Sequence, residues 1–113
     1  MDCYHIWCDL NESHQDLEFA SKLHSYMGHL KSEGLIAGYR LTRRKLGLGL
    51  PELGEFHIVI ETENLSQLED AFQAAAARRG EFEELHAAVY RSVKNARFAL
   101  YRDFPDAVRL KVD

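Results

Sequence analysis

Tyr4-His5-Ile6-Trp7-Cys8-Asp9-Leu10 is the stretch whose reading decides the fold. Successive side chains of a strand point to opposite faces, so Tyr4, Ile6, Cys8 and Leu10 make an apolar row while His5, Trp7 and Asp9 point the other way. Gly54-Glu55-Phe56-His57-Ile58-Val59-Ile60-Glu61 repeats the pattern, with Phe56, Ile58 and Ile60 on one side and Glu55, His57, Val59 and Glu61 on the other. Laid side by side, the two segments give a sheet with one plainly apolar face. Its second face carries a tryptophan and two histidines, which suits neither a solvated sheet nor a core, and function is sought there.

Between these strands, Asn11 and Ser13 offer N-capping side chains, and Leu17, Ala20, Leu23, Met27 and Leu30 follow at helical spacing up to a stop near Gly34. Residues 36 to 46 read as another strand, with Tyr39 and Leu41 on one face and Gly38, Arg40, Thr42 and Arg44 on the other, and Gly47 to Gly54 as a loop. After the strand at 55 to 62, Asn64 or Ser66 caps a helix with Leu65, Leu68, Phe72, Ala75 and Ala76 inward. The helical pattern at 81 to 94 (Phe82, Leu85, Val89, Val93) is either a third helix or the continuation of the second across a kink at Gly80. Residues 97 to 103 form the last strand, with Phe98 and Leu100 opposite Arg97, Ala99 and Tyr101, and the alternating tail at 108 to 112 suggests a short edge strand. The order is that of a split βαβ unit, a single α+β domain over 1–113 with an antiparallel sheet in the order 4-1-3-2 and its helices on one face.

The bulk properties fit this. A chain of 113 residues with 46% hydrophobic and 28% charged residues builds one modest core. A net charge of -4 argues against a polyanionic partner. Cys3 and Cys8 would stand about 16 Å apart along one strand, beyond the reach of a disulfide. No apolar run approaches the roughly 20 residues that cross a bilayer, so no membrane association is expected and the cytoplasm is the expected location.

The order of elements and the mixed aromatic and polar open face resemble the dimeric α+β barrel superfamily of ferredoxin-like folds. The stretches Tyr4 to Leu10, Leu53-Gly54-Glu55-Phe56-His57-Ile58 and Ala99-Leu100-Tyr101-Arg102-Asp103-Phe104-Pro105-Asp106 look like those of a short bacterial family of uncharacterised proteins. The resemblance implies a ferredoxin-like βαββαβ subunit and a homodimer closed through the open sheet faces around a ligand cavity. Members of the superfamily include cofactor-independent mono-oxygenases of polycyclic aromatics, haem-degrading enzymes, lactone isomerases and non-catalytic sensing or structural modules.

Strands 1 and 3 are neighbours in this order, which brings His5, Trp7 and His57 within reach of one another. Imidazole exchanges protons near neutral pH and an indole face stacks on aromatic rings, so His5 and His57 are the candidate catalytic residues. Trp7, Arg40 and Tyr101 are the candidate ligand-binding residues, Arg40 as anion holder and Tyr101 as phenol donor. No metal and no cofactor is expected: Cys3 and Cys8 cannot share an ion, and no ligand pair has zinc-site spacing. His24, His29 and His86 read as solvated or helix-edge residues. Nucleic acid is not an expected partner, because Glu55 stands where an RNA-recognition strand would carry its first stacking ring, and Arg43-Arg44-Lys45 reads as a solvated strand end or a partner for acidic groups. Gly47-Leu48-Gly49 lacks the Lys and Ser/Thr of a phosphate loop and reads as a turn or a lip at the cavity. Two functions stand open: binding, with cofactor-independent oxidation or isomerisation, of a small aromatic or polyketide-like molecule, and a non-catalytic dimeric structural or ligand-sensing module.

Overall fold

In the computed structural model, which describes residues 1–78 and 80–110, the first stretch is β1 (Asp2–Leu10), followed by a 3-10 turn (Ser13–Gln15) and helix α1 (Asp16–Ser32). Then come β2 (Gly38–Arg43), β3 (Phe56–Thr62), α2 (Leu65–Ala76), α3 (Gly80–Tyr90) and β4 (Val93–Arg102). The sheet order is β2-β3-β1-β4, antiparallel at every pairing. Tyr4 pairs with Ile60 and Leu100, and Ile6 with Ile58 and Phe98, so the apolar rows of three strands share the helix-side face as the alternation requires.

The core lies between that face and α1. Cys8, Phe56 and Ile58 from the sheet meet Phe19, Leu23, Met27 and Leu30 from α1, with Phe19 set edge-on to Phe56 at 5.3 Å. The inward stripe of α1 departs from the expected one at its margins: Leu17 is 83% exposed, and Phe19 and Tyr26 are buried as well. The cause is at the helix start. Asn11 does not cap the helix but donates its side-chain N–H to the Arg91 carbonyl at 2.8 Å, and α1 begins only after the 3-10 turn, at Asp16, whose carboxylate accepts from the Leu17 N–H. The helix stops at Gly34, whose φ of 73° lets Leu35 N–H reach back to the Leu30 carbonyl.

Two helices, not one kinked helix, fill the connection to β4. Asn64 caps α2 by accepting from the Gln67 N–H at 2.9 Å, and the chain breaks after Ala77 with Arg78 at φ 50° and Gly80 at φ 54°. On α2 Leu68 and Ala71 are buried, whereas Leu65 and Phe72, expected inward, are 46% and 42% exposed. The tail is not an edge strand. After Pro105, which has no N–H for the ladder, a 3-10 turn forms at Ala107–Leu110 with Arg109 N–H on the Asp106 carbonyl, and residues 111 and 112 lie outside the described residues. No helix among the described residues is long and apolar enough to cross a membrane.

All three helices lie on one side, which makes the molecule a slab only 18 Å thick in its thin direction. Its radius of gyration of 15.3 Å exceeds the roughly 13 Å of a compact chain of this length. The other sheet face is bare.

Candidate functional site

On the bare face Trp7 stands directly opposite His57, and His5 opposite Val59 and Ala99. The three rings lie nearly parallel, Trp7 on His57 at 4.6 Å and 3°, and His5 Nδ1 meets His57 Nε2 at 2.9 Å. One proton fits between the two imidazoles, so one ring donates while the other accepts. Tyr101, diagonal to His5 across the β1–β4 pair, sets its ring edge-on at 5.1 Å. Cys3, Val59, Arg102 and Asp103 complete an open hollow of about 350 Å³ around them.

Four of the five residues singled out from the sequence thus come together. Arg40 does not join them. It faces Val59 from β2, on the far side of β3 from β1, and is exposed. Arg43 pairs instead with Asp16 and Glu55 at 2.9 and 3.1 Å and lies over the Phe56 ring, which bears out its reading as a partner for acidic groups.

Burial, reinforced by the neighbouring His5, holds the His57 imidazole below its ordinary value. Between that lowered value and about 6.5 the unfolded chain binds a proton that the folded chain refuses. Its contribution to stability is therefore full above about pH 6.5 and is lost as pH falls through the window. The urea midpoint is expected to fall between pH 7.5 and 5.5, and His57→Gln to flatten that fall; a slope unchanged in the variant would place the titration elsewhere. Asp9 acts in a separate, more acidic window, since the Glu55 N–H and the Asn95 side chain hold its carboxyl below the usual range.

The larger hollow lies on the other side of the sheet. Between β1, β3 and β4 and the three helices is a cavity of about 750 Å³, lined mostly by apolar side chains, with Asn11, His86, Arg91, Lys94 and Asn95 also on its wall. α3 packs on α1 and α2 and closes one side of it. Tyr4, Phe98 and Phe72 form an aromatic floor, Tyr4 parallel to Phe98 at 5.9 Å and edge-on to Phe72 at 5.1 Å. Exposed Phe98 and Tyr90 mark its mouth. Cys8 also faces it, with burial, aided by Asp9, pushing the thiol up to about 11, so the sulfur stays protonated and unreactive.

The polar members of this cavity escaped the reading of the sequence. His86, taken as a helix-edge residue, lines it from α3 beside Tyr26 at 5.6 Å and Tyr90 at 6.0 Å. The signal was present: His86 and Tyr90 flank the inward positions Phe82, Leu85 and Val89, and Tyr26 adjoins Met27 on the inward side of α1. The other helix histidines are structural, His24 Nδ1 on the Tyr39 hydroxyl at 2.6 Å and His29 against the Phe82 ring at 4.6 Å. Gly47, Leu48 and Gly49 line neither hollow of the single subunit. Among the described residues no three His, Cys, Asp or Glu side chains stand together as a metal-ligand set.

A four-stranded antiparallel sheet in this order, with helices on one face and the other face open, is the ferredoxin-like α+β fold. Residues 1–112 match the Family of unknown function (DUF6614), and the chain belongs to that family. Solved structures of similar fold include the cofactor-independent oxygenase SnoaB from Streptomyces nogalater, at 14% identity and a TM-score of 0.62 over 94% of this chain and 95% of that one. At3g17210 from Arabidopsis thaliana aligns at 8% identity and a TM-score of 0.72 over 95% and 99% of the two chains. A dimeric ferredoxin-like protein of unknown function from Jannaschia sp. CCS1 aligns at 9% identity and a TM-score of 0.65 over 91% and 100%. No protein with a curated description matches the sequence.

Proposed function

We propose that this protein is a cytoplasmic homodimer that binds a small, flat, largely apolar molecule between its sheet and its helices, and either isomerises it or oxidises it with dioxygen as the electron acceptor, without an added cofactor. The cavity of about 750 Å³ carries the reading. Its size falls among ligand pockets of roughly 300 to 1,000 Å³. It opens to solvent at its mouth, so water fills it when no ligand does. An apolar molecule that displaces that water is driven in by the hydrophobic effect. The aromatic floor favours a flat ring system.

The homodimer is supported by the thinness of the slab, by the half-buried Trp7, His5 and His57 and exposed Tyr101 on its bare face, and by the dimeric proteins among those of similar fold. The chemistry is supported by the oxygenases of similar fold, and the compartment by the unpaired Cys3 and Cys8.

One observation favours a second reading. The 2.9 Å contact of His5 with His57, stacked beneath Trp7 in a hollow of its own, suits proton transfer at the open face, with His5 or His57 as the base, Trp7 as the stacking surface and Tyr101 as a donor. Naphthalene fluorescence titration separates the two. Ala75→Trp, which projects an indole into the cavity from α2, is expected to weaken naphthalene binding at least about tenfold, with His57→Ala within about twofold of the parent. The reverse result would move the site to the open face, and no binding by the parent protein would remove the cavity reading.

A further inference from the structure

We infer that the Tyr26 hydroxyl and the His86 imidazole form the polar end of the cavity and select, among flat apolar molecules, those that carry an oxygen at one edge, a phenol-type hydroxyl or a ring ketone. The inference rests on the cavity reading above and names the substrate class for it.

Tyr26 is only 7% exposed, yet no described residue hydrogen-bonds its hydroxyl, and the oxygen is not sealed in protein. Tyr26 is among the residues that line the cavity. A buried phenol facing an apolar hollow has water as its partner in the free protein. A wholly apolar ligand that expels this water strands the hydroxyl, at a cost of about 1 to 3 kcal/mol, whereas a ligand oxygen replaces the lost bond. Burial pushes the Tyr26 phenol up, so it remains protonated and able to donate.

His86 is the only histidine lining this cavity, and its ring is tilted against that of Tyr26 at 5.6 Å. It too has no hydrogen bond to a described residue. A phenol both donates and accepts, and a neutral imidazole offers one of each, so the pair can receive a hydroxyl as donor and acceptor or a carbonyl as acceptor. The polar end lies on α1 and α3, and the aromatic floor of Tyr4 and Phe98 on β1 and β4. A ligand satisfying both is a ring system that stacks on its face and hydrogen-bonds at its edge.

The probes are naphthalene and 1-naphthol, which differ by one hydroxyl, titrated by fluorescence into the intact protein, Tyr26→Phe, His86→Leu and His86→Gln. Tyr26→Phe and His86→Leu are expected each to lower the affinity for 1-naphthol relative to naphthalene by about tenfold, with naphthalene itself binding more tightly because it no longer strands a polar group. His86→Gln, which keeps a donor and an acceptor, is expected to retain part of the preference. A relative affinity unchanged in both variants overturns the proposal and leaves the cavity reading standing. An equal loss of both probes in both variants also overturns it, because the two residues are then merely structural. If naphthalene fails to bind the parent protein, cavity reading and proposal fall together. Unfolding in urea is measured on each variant, and if Tyr26→Phe does not fold, His86→Leu decides alone.

Discussion

Gly54→Ala is expected to destabilise the protein by about 3 kcal/mol or more, among the largest effects of any single methyl group in this chain. A Cβ at this position would fall 2.5 Å from the Cys8 carbonyl oxygen and 2.7 Å from its Cα, and it would overlap the carbonyl carbon. These are backbone atoms of the central strand and cannot swing aside as a side chain can. Moving them also disturbs the next residue, since the Glu55 N–H donates to Asp9 at 2.9 Å, and Asp9 in turn accepts from Asn95 beside the bulge where the β1–β4 register shifts. Urea denaturation measures the loss. Gly28→Ala is the control of opposite sign, because nothing lies within 4 Å of that Cβ on the exposed side of α1. It is expected to stabilise by about 0.5 to 1 kcal/mol, as Ala does in a helix interior. Equal effects at the two glycines would mean that the packing of the loop end on Cys8 is not tight.

If the proposed homodimer forms through the open face, Trp7→Ala is expected to convert it into 13.0 kDa monomers at concentrations where the parent protein is paired. A buried interface tryptophan contributes roughly 2 kcal/mol or more, and a two-fold axis repeats the substitution on both partners. The sum of about 4 kcal/mol raises the dissociation constant about a thousandfold. The subunit itself should lose little, because Trp7 lies on the bare face, stacked on His57 rather than set in the core. Sedimentation equilibrium over a wide dilution range checks the result. A mass unchanged by the substitution would mean that copies of this chain do not meet through the open face.

The strand faces were legible because they rest on a period of two that each strand carries within itself. Tyr4, Ile6 and Cys8 had to share a side with Phe56, Ile58 and Ile60 wherever the strands lay, and a slip of one residue would have turned them all to water. The meeting of His5, Trp7 and His57 followed from the same alternation once the strands were neighbours. Arg40 shares their face but not their place: it lies beyond β3, and a face assignment says nothing of lateral distance. Helix faces were read less well at their margins: Leu23, Met27 and Leu30 of α1 are inward as read, but Leu17 stands in the first turn, off the packed face that Phe19 and Tyr26 share. That is why Leu17 proved exposed and Phe19 buried.

By itself, then, the sequence determined the order of elements, the two faces of the sheet and the histidine–tryptophan cluster on the bare one, because alternation and capping are local properties of the chain. Only the tertiary structure decided that Arg78 and Gly80 separate two helices, that α3 packs on its fellow helices, and that Tyr26 and His86 stand side by side on the cavity wall. A cavity is the volume that packing fails to fill. It belongs to no segment and is fixed by the distances between elements far apart in the chain, so no pattern of residues along the sequence spells it out.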